Sequence, residues 1–176
     1  MANGYNGNSA PIDLKILDLR NGYSVGEVTQ VLAWWGTNGR LAYILIEVID
    51  VFVYHVGYRL AFVVLFNNMV STALQQYPSY TILSWCPRIP LYLAKIDMIE
   101  DLLQITLVCM YEFHASKGAE RVATFVQQDY FAKLVRISSA VNLLKWGFMK
   151  CGFVIFLYLW TVIRLGGAIK KLEKKD

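Results

Sequence analysis

Lys95, Asp97, Glu100 and Asp101 fall within one short stretch, "KIDMIEDLLQ", between the apolar segments "RIPLYLA" and "ITLVCMY". Glu47, Asp50, His55 and Arg59 interrupt a second apolar run, residues 41–66, and Lys145 and Lys150 a third, residues 137–163. Acids in such places support three kinds of chemistry. They relay protons or ions through a membrane, the default reading of intramembrane carboxylates. They hold a pair of metal ions, which in a helix bundle takes Glu residues with Glu-x-x-His partners. Or they pair with bases on neighbouring helices and fix register. The metal pattern is incomplete, because Glu47/Asp50 and Asp97/Glu100 have the spacing but no matching histidine. No metal or other cofactor is therefore expected. Nucleophilic catalysis is not expected either: the chain holds two histidines, His55 and His114, and no nucleophile elbow. The chain reads as a protein without enzymatic activity.

These charges are unusual because the rest of the chain is so apolar. Of 176 residues, 56% are apolar and 17% charged, against about 25% charged in an ordinary soluble domain. Aromatics reach 14%, as expected where rings gather at membrane–water boundaries. Half of the net charge of +4 sits in the tail "IKKLEKKD". A basic run beside a membrane helix meets lipid phosphates, so phospholipid and not nucleic acid is the expected partner. Cys86, Cys109 and Cys151 form no metal or disulfide spacing. The opening "MANGYNGNSAPID" has neither an apolar core nor an Arg-rich character and reads as no cleavable targeting signal.

The elements that must position the charges follow from periodicity. "YSVGEV" is a capping box, Ser24 with Glu27, inside a hydrophobic staple of Tyr23 and Val28. It predicts a helix over residues 25–35, too short to span a bilayer and ending in two tryptophans, as an interfacial helix would. "GTNGR" then turns the chain. Residues 41–66, 89–112 and 137–163 predict three transmembrane helices, each long enough at about 1.5 Å per residue to cross about 30 Å of hydrocarbon. Residues 69–77 predict a short surface helix. An amphipathic segment, 119–136, leads into the third span and makes it project beyond the bilayer; its stripe of Val122, Phe125, Val126, Tyr130 and Leu134 is expected to pack on a partner or on headgroups. Gly166 and Gly167 read as the helix stop. The organisation expected is a 1–40 extension, a 41–166 membrane domain and a 167–176 basic tail. With three spans, the chain ends fall on opposite sides.

Placed antiparallel, the spans bring acids and bases to matching depths. Asp50 and Lys145 lie about 12–13 Å from one face, Glu100, Asp101, Lys150 and His55 about 16–21 Å, and Asp97, Lys95 and Arg59 about 22–27 Å. Since an unpaired charge at mid-bilayer costs about 3 kcal/mol or more, an interhelical network is expected. It comprises Glu47, Asp50, His55, Arg59, Lys95, Asp97, Glu100, Asp101, Lys145 and Lys150. Its leading pairs are Asp97 with Arg59, and Glu100 or Asp101 with Lys150 or His55. Arg40, Arg164, Lys170 and Lys171 are expected to touch lipid headgroups, cardiolipin included.

Residues 17–20, Tyr23, Glu27, Gly36, Gly39, Arg40, Tyr43 and Asp50, then Asp97, Glu100 and Leu102, and later Lys145 and Trp146, carry a pattern. It resembles a family of small multi-pass membrane proteins without an assigned activity. Members have four spans, the first preceding the "LDLR" stretch and missing here, and an Asn where this chain has Asp101. The resemblance implies an all-α membrane fold whose exposed flank is covered by another subunit. The function expected is that of a non-catalytic accessory subunit of a large membrane assembly, with a respiratory-chain or ATP synthase complex of the mitochondrial inner membrane as host. The alternative is a small transporter or proton-conducting protein.

Overall fold

The computed structural model describes residues 16–78 and 81–172. The described residues are helical throughout, with no strand among them. A turn of 3-10 helix, Leu17–Leu19, leads to α1, Val25–Ile49. Ser24 caps α1, its Oγ accepting from the Glu27 N–H while the Glu27 carboxylate accepts from the Ser24 N–H, the expected capping box. The helix kinks at Gly36, whose φ of 61° lies where a side chain is disfavoured. The expected 25–35 helix thus ends where predicted: the chain leaves helical conformation at Gly36 and resumes it directly beyond the kink.

A π-helical turn, Asp50–Tyr54, joins α1 to α2, His55–Gln76. Residues 69–76 are the end of α2, not a separate surface helix: Met69, Val70 and Ala73 are buried with Cys86 and Leu159. A 3-10 stretch, Thr81–Arg88, leads into α3, Ile89–Ala115, with Pro90 in its first turn where the missing N–H costs nothing. α4, Ala119–Val126, and α5, Asp129–Leu172, follow.

Two corrections concern this last part. The amphipathic segment does not run unbroken into the third span but breaks between α4 and α5. Most of its stripe is also covered by the chain itself: Phe125 is buried with Val28 and Leu32 of α1 and Leu107 and Tyr111 of α3, and His114 stacks on it at 4.1 Å. Val122, Val126 and Leu134 pack half-buried against that cluster, while Tyr130 stays exposed. The same packing buries the apolar face of residues 25–35 in protein. Nor do Gly166 and Gly167 stop the helix, which continues to Leu172. Gly166 instead lets α5 approach α2, since a Cβ there would run into the Gln76 amide. The 40/41 and 166/167 boundaries therefore fall inside helices.

α3 packs on α1, α2 and α5, and α2 on α5. Two helical stretches are long and apolar enough to cross a membrane, Val25–Gln76 and Asp129–Ala168. α3 has 27 residues, enough to cross by length, but carries the charges of "KIDMIEDLLQ".

Candidate functional site: a buried acid-rich centre

Lys145, about four turns into α5, is the hub. Its ammonium contacts Asp18, lies 2.7 Å from Glu100 Oε2 and 3.1 Å from Asp97 Oδ1. One turn earlier, Asn142 donates to Glu100 Oε1 at 2.7 Å and to the Asp18 carbonyl at 3.2 Å, and its own Oδ1 accepts from the Gly22 N–H at 2.8 Å. Gln104, one turn after Glu100 on α3, donates to the same Glu100 Oε1 and accepts from the Tyr43 hydroxyl. Trp146 Nε1 donates to the Asp18 carbonyl at 3.3 Å. Tyr23 meets Ser138 through its hydroxyl and Ser139 through its N–H. The segment before α1 is thereby tied to α5 by polar contacts, which is why it folds against the bundle.

A second group of acids lies beside the first. One carboxylate oxygen from each of Glu47, Asp50 and Asp101 is within 4.8 Å of the others. Glu47 closes α1, Asp50 opens the π-turn and Asp101 comes from α3. Glu47 is 2% exposed and Asp101 0%. His55 stands between the groups, with Nε2 3.5 Å from Asp97 Oδ2 and Nδ1 3.8 Å from Asp101 Oδ2. Nδ1 is also 3.0 Å from the Asp50 carbonyl, which can only accept, so Nδ1 carries a hydrogen.

Next to both groups is a cavity of about 640 Å³. Asp18, Asp50, Asp97 and Lys145 form its polar end, and Phe66, Ile89, Leu93 and Phe156 are among its apolar walls. Its outer edge includes Phe62 and Phe153, both exposed at the surface. A volume of this size, mostly apolar with a few converging polar groups, matches small-molecule sites in general.

No protein-family model, curated protein or solved structure matches the chain. The acid-rich centre must be read from its own geometry. Many residues of the sequence pattern gather here: Asp18, Tyr23, Tyr43, Asp50, Asp97, Glu100, Lys145 and Trp146.

Of the ten residues expected to form one network, Glu47, Asp50, His55, Asp97, Glu100, Asp101 and Lys145 come together. Arg59, Lys95 and Lys150 do not; all three are exposed. Asp97 faces Lys145 and His55 in place of Arg59, and Glu100 takes Lys145 in place of Lys150. Arg59 and Lys95 instead flank a crevice of about 130 Å³ between α2 and α3. Arg40, expected at headgroups, is buried: its guanidinium contacts Glu112, donates to the Leu32 carbonyl at 2.6 Å and lies over the Tyr111 ring. Arg164 is exposed and stacks on Trp160 at 4.5 Å. The side chains of Lys170 and Lys171 lie outside the described residues, as do 1–15 and 173–176. Asp18, Tyr23, Ser138 and Asn142 belong to the centre without having been anticipated.

Proposed function

We propose that the chain crosses the membrane three times and that its acid-rich centre binds the head of an amphiphilic molecule whose apolar body lies in the adjoining cavity. Two levels of aromatic–cation pairs support the span count. At one level Arg88 stacks on Trp85 at 4.0 Å and Arg164 on Trp160. At the other Lys117 lies over Phe113 at 3.6 Å and Arg40 over Tyr111. From Arg88 to Lys117 the chain rises about 43 Å, and from Arg136 to Arg164 about 42 Å, close to a bilayer with its headgroups. Asp101 then sits near mid-depth, about 20 Å from the Arg88 level.

The observation that carries the ligand reading is the cavity's asymmetry, apolar walls closed at one end by three carboxylates and one ammonium. Lys145 already serves three acids, so the end is left with negative excess and accepting oxygens. It suits a head that donates hydrogen bonds, a hydroxyl or amine on an acyl, isoprenoid or ring body. The role is binding, with no catalytic step assigned. Native mass spectrometry of the detergent-purified chain tests it. A retained amphiphile that is lost in Met149→Trp, which fills the cavity, supports the reading. No retained molecule, or equal retention in that variant, contradicts it.

A second reading, compatible with the first, is that of an accessory subunit in a larger membrane assembly. It is favoured by Arg59, Lys95 and Lys150, which are exposed on helices at membrane depth with no acid partner among the described residues. A base facing lipid at mid-bilayer costs about 3 kcal/mol. Acids on a neighbouring subunit would remove that cost. The proposed host is an energy-converting complex of the mitochondrial inner membrane, which suits a small chain whose proposed role is packing and binding. Comigration with a very large complex in gently solubilised mitochondrial membranes is the expected result. A lone 20 kDa species or a homodimer would count against it.

A further inference from the structure

We propose that Glu47, Asp50 and Asp101 form a binding site for one hard divalent cation of the Mg2+ or Mn2+ class. Their three closest carboxylate oxygens lie within 4.8 Å of one another. That is the separation of oxygens on opposite sides of an ion with bonds of about 2.0–2.4 Å. An acidic cluster alone would not carry the inference. Here both oxygens of Asp101 and Oε2 of Glu47 are buried without a hydrogen-bond partner, although buried carboxylates ordinarily have one. Those two side chains are at least 98% enclosed and share a small space with Asp50.

The neighbouring triad supplies an internal reference. Asp18, Asp97 and Glu100 are equally close together, and the Lys145 ammonium stands among them as their cation. The Glu47 triad has no ammonium or guanidinium in an ion pair with it among the described residues; its nearest base is His55. Three carboxylates in a medium of low dielectric take up protons or a cation, and oxygen-only ligands select hard ions. Ordinary helical spacing, three residues, brings Asp50 into the same space as Glu47, and the π-turn begins at Asp50 and carries the chain on to His55. Such turns are frequent at functional sites. The inference goes beyond the amphiphile reading, with which it shares Asp50 alone.

The test uses the full chain in detergent, stripped with chelator and titrated with Mn2+ while free Mn2+ is read by electron paramagnetic resonance. One Mn2+ bound per chain is expected, with Mg2+ competing. Asp101→Asn or Glu47→Gln should weaken binding by about tenfold or more, and Asp129→Asn on the surface should not. No stoichiometric Mn2+ on the unmodified chain would overturn the site, whatever the variants do. Binding that survives both substitutions would overturn it equally. Either failure leaves the amphiphile reading standing, because Met149→Trp touches none of the three acids.

Discussion

The Asp18–Asp97–Glu100 and Glu47–Asp50–Asp101 triads carry the same formal charge and adjoin each other across His55, but the chain completes only the first. Around Lys145 every acid has a cationic partner, and Asn142, Gln104 and Tyr43 extend the bonding to four parts of the fold. Around Asp101 the oxygens are enclosed and unbonded. A buried ion pair contributes little net stability, while a buried charge stripped of its partner costs about 3–5 kcal/mol. The first triad is therefore a joint organised on the chain's own ammonium, and it holds the segment before α1, α3 and α5 in register. The second has no ammonium or guanidinium in an ion pair with it among the described residues, and holds its charge down only by taking up protons or a cation.

The largest effect expected from this contrast is at Lys145. Lys145→Leu strands three acids and should cost about 3–5 kcal/mol, read as a lower melting temperature in detergent and depletion from membranes. Lys150→Leu, on an exposed side chain, strands no acid of this chain among the described residues and should not lower the melting temperature in detergent. If the two leucine variants behaved alike, the hub assignment would fail.

Asn142→Leu comes next. It removes the donor to Glu100 and the bridge to Asp18 and Gly22, so a loss of about 2–3 kcal/mol is expected in denaturant titration. Tyr43→Phe deletes one hydroxyl that satisfies Gln104 and should cost about 1–2 kcal/mol. An unchanged midpoint in Tyr43→Phe would separate Gln104 from the joint.

The smallest effect lies outside both triads, at the capping box. The Ser24 backbone N–H, then the Ser24 side chain, hold the Glu27 carboxyl below the usual carboxylate range. Its folded value being the lower one, the stabilisation is present above the unfolded value and is lost as pH falls through the folded one. Glu27 is 43% exposed, so Glu27→Gln should remove only about 0.5 kcal/mol near neutral pH and progressively less in acid. A constant difference across that range would mean that the cap does not depend on the charge.

Much of this was legible in the sequence, and the misses have physical causes. The capping box, the helix of residues 25–35 and the chain's departure from it at "GTNGR" follow from local rules that tertiary packing did not override. The acids of residues 97–104 converge with Lys145 because helical spacing puts Asp97, Glu100, Asp101 and Gln104 on one face. Lys150 and Lys95 were misplaced because matching depth says nothing of direction. Lys150 is about 140° around the helix from Lys145, and Lys95 about 160° from Asp97. Arg59 shares a face with His55 but lies one turn on, where α2 and α3 part to form a crevice. Asp18 escaped because it precedes the first helix, in a segment with no periodicity to orient it. Asn142 offered a signal, a lone amide one turn before Lys145 in an apolar run. Arg40 beside a predicted span looked like a headgroup contact, and only tertiary structure supplies Glu112.

The central claim is that the two triads differ in whether the chain supplies them with an ammonium. Unfolding of Glu100→Gln and Asp101→Asn, side by side in one chelator-treated detergent solution, tests it most directly. Each substitution replaces a fully buried carboxylate with its amide. Glu100→Gln takes from Lys145 an acid that it binds and should lower the melting temperature, while Asp101→Asn removes an acid with no ammonium partner and should leave it unchanged or raise it. Equal destabilisation by the two would contradict the account.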